Sequence, residues 1–181
     1  MMSRRFMPIL IFQLKKWRRW LDRKRVIGID PGIRRIGYAV IEVTGKKVEG
    51  VVSGSLNLPT DAEKRISVFS KFVEGLLNTY KPYAVAVEDV FSAKNPKVAF
   101  RIGEVKGILK FLCLLKKVKI FEYPPAEIKK RISGNGLAKK EQMRKALKFW
   151  IGDIKLPDAH SADAIAVALH CIKTCKYDRI S

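Results

Sequence analysis

Two short apolar runs that each end on a carboxylate constrain this chain more than any other feature. Val26-Ile27-Gly28-Ile29 runs into Asp30, and Tyr83-Ala84-Val85-Ala86-Val87 runs into Glu88. An apolar run of this length without polar alternation belongs to a strand covered on both faces, and such strands occupy the middle of α/β sheets. Most acids in a chain rich in lysine face solvent beside a cation, so an acid emerging from a buried strand needs another reason to be there. Where the two strands are neighbours, Asp30 and Glu88 converge at one edge of the sheet.

The remaining segments supply the cover such strands need. Pro31-Gly32 turns the chain after Asp30. Ile36 to Thr44 and Lys47 to Ser55 are β-rich runs joined by Thr44-Gly45-Lys46-Lys47, which predicts three antiparallel strands with the first. A helix opens at Pro59-Thr60, places Ile66, Phe69, Val73, Leu76 and Leu77 at helical spacing, and stops at Lys81-Pro82. Further on, the pattern predicts a helix from Pro96 to Lys116 and a strand from Val118 to Tyr123. A helix then starts at Pro124-Pro125 and is broken by Gly134-Asn135-Gly136. Two more helices run from Lys139 to Trp150 and from beyond Pro157 to Cys175. The order predicts one α/β domain over residues 26–175, a mixed five-stranded sheet with helices on both faces. Residues 1–25 form a basic extension and 176–181 a tail.

Charge narrows the partner. The chain holds 37 Lys and Arg against 17 Asp and Glu, a formal +20 with a pI near 10.1. A single basic domain of this kind attracts polyanions, and nucleic acid is the commonest of them. The first twenty-five residues carry nine of the cations and one acid, a local +8, so the remainder still holds +12. Phe6 to Leu14 is too short to span a bilayer and no small-residue cleavage site follows it, which predicts a cytoplasmic protein with no membrane partner. Leu10, Leu14, Trp17 and Leu21 recur at helical spacing, and the extension reads equally as an amphipathic helix, a disordered arm or a misassigned start. Cys113, Cys171 and Cys175 lack a paired zinc spacing and read as reduced packing thiols.

The last helix adds the remaining chemistry. Ala162, Ile165, Ala166 and Leu169 form its buried stripe, Asp163 interrupts it, and His160 lies three residues earlier on nearly the same face. Asp158 is about 140° around the helix from Asp163 and reads as the cap. Three carboxylates brought together stay ionised only if a cation offsets their repulsion. Such an oxygen-rich site suits Mg2+, with Mn2+ as a substitute, and two such ions about 3.5–4 Å apart serve the hydrolysis of a phosphodiester. Each residue also has an ordinary reading. Asp30 fits a turn before Pro-Gly, Glu88 fits a lysine partner, and His160 fits the first turn of its helix. Residue type alone leaves these open.

Taken in order, Gly28-Ile29-Asp30-Pro31-Gly32, Val87-Glu88-Asp89-Val90-Phe91, Gly134-Asn135-Gly136-Leu137-Ala138-Lys139-Lys140-Glu141-Gln142 and Ala162-Asp163-Ala164-Ile165-Ala166 resemble the RuvC family of bacterial Holliday-junction resolvases. The similarity runs from Val26 to Cys175. It implies a ribonuclease H-like fold and a homodimer that nicks opposed strands of four-way DNA junctions in recombination and repair. It further implies metal ions held by Asp30, Glu88, His160 and Asp163, and RuvA and RuvB as branch-migration partners. Many members carry Asp where this chain has His160, although His also occurs there; a general base or an orienter of water is the alternative role. The resemblance implies that Phe91 stacks on an exposed base at the junction centre. It places Lys129 and Lys140 beside the scissile strand, with Lys130, Arg131 and Lys139 as added phosphate contacts. Glu104-Val105-Lys106-Gly107 stands where the family often has Gln-Ala-Arg-Gly, which passes that arginine's contacts to Lys106 or Arg101. Two other readings compete. Gly-Ile-Asp-Pro-Gly also resembles the phosphate hairpin of actin-like ATPases, but those need two lobes and a second glycine-rich loop, which this chain lacks. A non-catalytic junction-binding module of the same fold takes its main support from His160.

Overall fold

In the computed structural model of the chain, the described residues are 23–45, 47–89, 96–152 and 156–175. The first strand, β1 (Arg23–Asp30), begins three residues before the expected Val26. The cause is cross-strand pairing with β2 (Arg35–Thr44): Arg25 stands opposite Glu42, and both Arg23 Nη1 and Arg25 Nε donate to the Glu42 carboxylate, at 3.0 and 2.9 Å. The end of the basic extension is therefore part of the sheet. Gly45, at φ 59°, makes the turn into β3 (Lys47–Asn57). The chain then forms α1 (Ala62–Tyr80), β4 (Ala84–Glu88), α2 (Pro96–Leu115), β5 (Lys119–Tyr123), α3 (Pro125–Ser133), α4 (Lys140–Ile151) and α5 (Ala159–Thr174).

The sheet order is β3-β2-β1-β4-β5. β1 pairs antiparallel with β2 and parallel with β4, so the two apolar runs lie side by side in the centre, Val26 opposite Ala84 and Gly28 opposite Ala86. Their side chains alternate between two cores, as strand geometry requires. Ile27, Ile29, Val85 and Val87 pack with Phe69 and Val73 of α1 and Val105 and Leu109 of α2. Val26, Ala84 and Ala86 pack with Ile165, Ala168 and Leu169 of α5 and with Ile128, Ile132, Met143 and Leu147 of α3 and α4. Among the described residues no helix is long and apolar enough to cross a membrane.

Helix α1 corrects one detail of the pattern. Asp61, not Pro59 or Thr60, caps it, accepting from Lys64 N at 2.8 Å. Ile66 is 41% exposed, while Arg65 is buried, donating to the Thr60 carbonyl and to Glu104 Oε2, each at 3.1 Å. The guanidinium reaches an acid on α2, and that pairing turns the first turn of the helix away from the purely apolar register.

Candidate active site

The alternation that builds the two cores also aims the carboxylates. Positions 26, 28 and 30 of β1 and 84, 86 and 88 of β4 share a face, so Asp30 and Glu88 leave adjacent parallel strands on the side covered by α5. Helix α5 can lie unusually close there. A Cβ on Gly28 would meet the Ala164 carbonyl oxygen at 2.0 Å, and one on Gly37 would meet the His160 carbonyl oxygen at 2.0 Å. The two glycines and the alanines of α5 let its first turns settle directly over the sheet. Asp158 caps α5, accepting from Ser161 N at 2.8 Å and from Ser55 Oγ at 2.6 Å, which ties the helix start to β3.

His160 and Asp163 thereby come to the same edge as Asp30 and Glu88. His160 Nδ1 lies 2.8 Å from Asp30 Oδ2. With Asp30 ionised, Nδ1–H is the donor and the imidazole lone pair remains on Nε2. Burial raises the pKa of Asp30, and the hydrogen bond from His160 opposes that rise. Glu88 is pushed up to about 7, first by burial and then by the charges of Asp30 and Asp163. Asp163 is open to solvent on one side, yet the protein crowding its carboxyl lifts it to about 6, with the charge of Asp30 adding and those of Lys140, His160 and Lys129 opposing. The three carboxyl groups thus act on one another electrostatically. As the side chains stand, no three His, Cys, Asp or Glu among the described residues are drawn around one point tightly enough to hold an ion. Asp30 has turned one oxygen to His160. The donor set remains one of hard oxygens, raised in pKa by crowding and by neighbouring charge, which is the chemistry a divalent metal ion relieves.

A cavity of about 510 Å3 opens beside Glu88 and Asp163, lined by Lys129 of α3, Lys139, and Lys140 and Arg144 of α4. The glycine-rich turn that leads to it is held by Asn135, whose side chain accepts from Leu137 N at 2.9 Å, and by Gly134 at φ 80°. Of the expected phosphate contacts, Lys129, Lys139 and Lys140 therefore reach the site. Lys130 and Arg101 are exposed on α3 and α2 but do not line this cavity. Lys106 departs from the expectation. Its side chain is only 14% exposed, its Nζ pairs with Asp89 Oδ1 at 2.7 Å and with Glu122, and Glu122 also takes Lys110. A lysine already neutralised by two acids has little left for a phosphate; through these pairs Lys106 ties α2 to Asp89, the residue after Glu88, and to β5. Phe91 lies outside the described residues. Arg144 was not singled out by the motifs, although its place four residues after Lys140 on a helix was a usable signal.

The family model described as "Crossover junction endodeoxyribonuclease RuvC" matches residues 26–171. The chain belongs to the RuvC family. RuvC of Natranaerobius thermophilus is 38% identical over 147 residues, covering 80% of this chain and 91% of that one. RuvC of Caldanaerobacter subterraneus is 34% identical over 160 residues, covering 86% and 97%. Among solved structures, Thermus thermophilus RuvC in complex with a Holliday junction substrate matches with a TM-score of 0.76 at 29% identity, over 81% of this chain and 92% of that one. The five-stranded mixed sheet flanked by helices is a ribonuclease H-like fold, and RuvC membership makes the chain an endodeoxyribonuclease.

Proposed function

We propose that this RuvC protein resolves four-way DNA junctions in recombination and repair by nicking opposed strands, with Asp30, Glu88 and Asp163 as oxygen ligands of two Mg2+ ions. The observation that carries this reading is the placing of Glu88 and Asp163, both raised by burial and by the charge of Asp30, in the wall of a cavity lined by lysines. Bound magnesium supplies a Lewis acid for the phosphoryl oxygens and lowers the pKa of the attacking water. The protein's own groups do the rest. Asp30 fixes the His160 ring through Nδ1, which leaves Nε2 to ligate an ion or to accept a proton. Lys129 and Lys140 place positive charge where the phosphorane's negative charge develops. Lys139 and Lys130 add phosphate grip, and Phe91 is assigned the base-stacking role at the junction centre.

Paired nicking calls for two copies, and α2 supplies a surface for the second. Phe100, Phe111 and Leu114 are all exposed and share a stripe with Gly103 and Gly107, where an added Cβ meets nothing within 4 Å. Apolar side chains around an open glycine pair favour close packing of α2 against its mate. Free Cys113, Cys171 and Cys175 fit a reducing, cytoplasmic setting, where RuvA and RuvB are the expected partners.

Purified protein should nick a synthetic four-way junction symmetrically in Mg2+ and leave linear duplex intact. Asp163→Asn should bind the junction as tightly while cutting at least about a hundredfold more slowly, since ligand loss disables the ions but not the lysines. Equal cutting by the two proteins overturns the assignment. An actin-like ATPase would hydrolyse nucleotide without DNA, and a non-catalytic module would bind the junction with no Mg2+-dependent product.

A further inference from the structure

Side chains alternate at the end of β4, so Glu88 faces α5 and the acidic edge while the next residue, Asp89, turns to the opposite face, where α2 lies. A second acid meets it there. Glu122 of β5 stands opposite Val87 and shares its face, and the Asp89 amide still donates to the Tyr123 carbonyl at 2.9 Å. Lys106 of α2 enters between the two carboxylates, 2.7 Å from Asp89 Oδ1 and in contact with Glu122, whose other oxygen takes Lys110 one helical turn on. The side chains of Lys106 and Asp89 are only 14% and 16% exposed. An ion pair so far out of water gains little stability over an apolar pair of the same volume, because desolvation offsets the attraction. What it does supply is a fixed position.

Glu88 needs one, since its own carboxylate has no hydrogen-bond partner among the described residues. We infer that Lys106 is a positioning residue for Glu88: by holding Asp89 and Glu122 together on the reverse face of the sheet, it fixes where β4 ends and where the Glu88 carboxylate points. Lys106 touches neither DNA nor the reacting atoms and acts only through Asp89. Without the ammonium, two carboxylates on neighbouring strands repel one another where water screens them poorly, and the end of the strand shifts. A misplacement of about 1 Å costs a reaction as much as about a hundredfold in rate. Loss of charge alone would act in the other direction on the metal, because removing a cation makes the surroundings of Glu88 more negative and favours Mg2+. The sign of the change in Mg2+ affinity therefore separates positioning from simple electrostatics. The inference rests on Glu88 being a metal ligand.

The test measures kcat, KM and the Mg2+ concentration for half-maximal nicking of a four-way junction, each protein being assayed well below its melting temperature. Lys106→Met keeps the length of the side chain without its charge. It should lower kcat at least about tenfold, leave KM near the wild-type value, and raise the Mg2+ requirement. Lys106→Arg restores a cation that reaches both acids and should recover most of the rate. Lys110→Met removes the outer, half-exposed cation, which meets Glu122 alone, and should behave as wild type. Arg65→Met breaks the other buried ion pair of α2, to Glu104, and should lower the melting temperature without changing the Mg2+ requirement. Asp89→Ala, which leaves Lys106 paired with Glu122, cuts the tie by a second route and should also lower kcat at unchanged KM. A Lys106→Met protein with the wild-type kcat, with a tighter hold on Mg2+, or with its loss in KM instead of kcat overturns the inference. So does an equal loss of kcat in Arg65→Met, or a wild-type kcat in Asp89→Ala. A wild-type protein that nicks no junction overturns the cleavage reading itself.

Discussion

Asp30 Oδ2 and His160 Nδ1, 2.8 Å apart, set a division of labour among the acidic residues. One oxygen of Asp30 holds the imidazole, whereas Glu88 and Asp163 have no such partner among the described residues and carry the electrostatic strain. Their pKa values of about 7 and about 6 lie above the ordinary 4.5 and 3.8. Without metal, the folded protein therefore retains protons that the unfolded chain releases at lower pH. By linkage this contribution is favourable below the unfolded values and is lost as pH rises from about 4 through about 7. Glu88→Gln removes the Glu88 part. In chelator at pH 8 it should melt higher than wild type, by roughly 2–4 °C for each kcal/mol of strain relieved, and its melting temperature should depend less on pH. Magnesium affinity should follow the opposite course in wild type, tightening with release of protons over the same range, because the ligands bind as carboxylates. Thermal melts and calorimetric titrations in two buffers of different ionisation enthalpy measure both. A wild-type melting temperature that rises from pH 5 to 8 in chelator would contradict the assigned strain.

At the scale of elements, the site depends on how closely α5 approaches the sheet. Gly37→Ala would drive a methyl group into the His160 carbonyl and should destabilise the fold by about 1–3 kcal/mol, the usual cost of overpacking, while moving His160 off Asp30. Urea melts read the first effect, and a loss of cleavage larger than the loss of junction binding reads the second. This close approach also bears on what was legible in advance. Val26 to Asp30 and Ala84 to Glu88 announced central strands because burial on both faces leaves an unbroken apolar run, and the period of two then fixed the side on which the acids emerge. Among the described residues, the helix patterns placed each helix to within a few residues. Register and long-range ion pairing were not legible in this way. Arg25 finds Glu42, Arg65 finds Glu104 and Lys106 finds Asp89 and Glu122 only after strands and helices are packed. For that reason β1 starts earlier than expected, Ile66 faces outward, and Lys106 is held between two carboxylates. Arg144 carried one local signal, its place a helical turn after Lys140, while the cavity it lines forms only when the helices pack.

For the whole molecule, two predictions follow from where charge and apolar surface lie. Lys129, Lys130, Lys139 and Lys140 amount to four candidate phosphate contacts, and counterion release then implies that junction affinity falls about a hundredfold between about 50 and 200 mM salt. Fluorescence anisotropy at graded salt measures the slope, and a flat response would remove the lysine surface from consideration. Phe111→Glu should weaken self-association by at least about thirtyfold, as for a central apolar contact, and convert paired nicks into single ones. Sedimentation velocity together with a supercoiled cruciform substrate, which separates nicked from linear product, reports both outcomes. Asp30 and Glu88 end the two innermost strands, whereas Lys139 and Lys140 begin a peripheral helix of which only Met143 and Leu147 are buried. Local opening starts at such margins and reaches central strands last. On warming, the hold on DNA should therefore slacken while the hydrolytic centre is still intact, so that the upper working temperature of the enzyme is a limit of grip, not of chemistry.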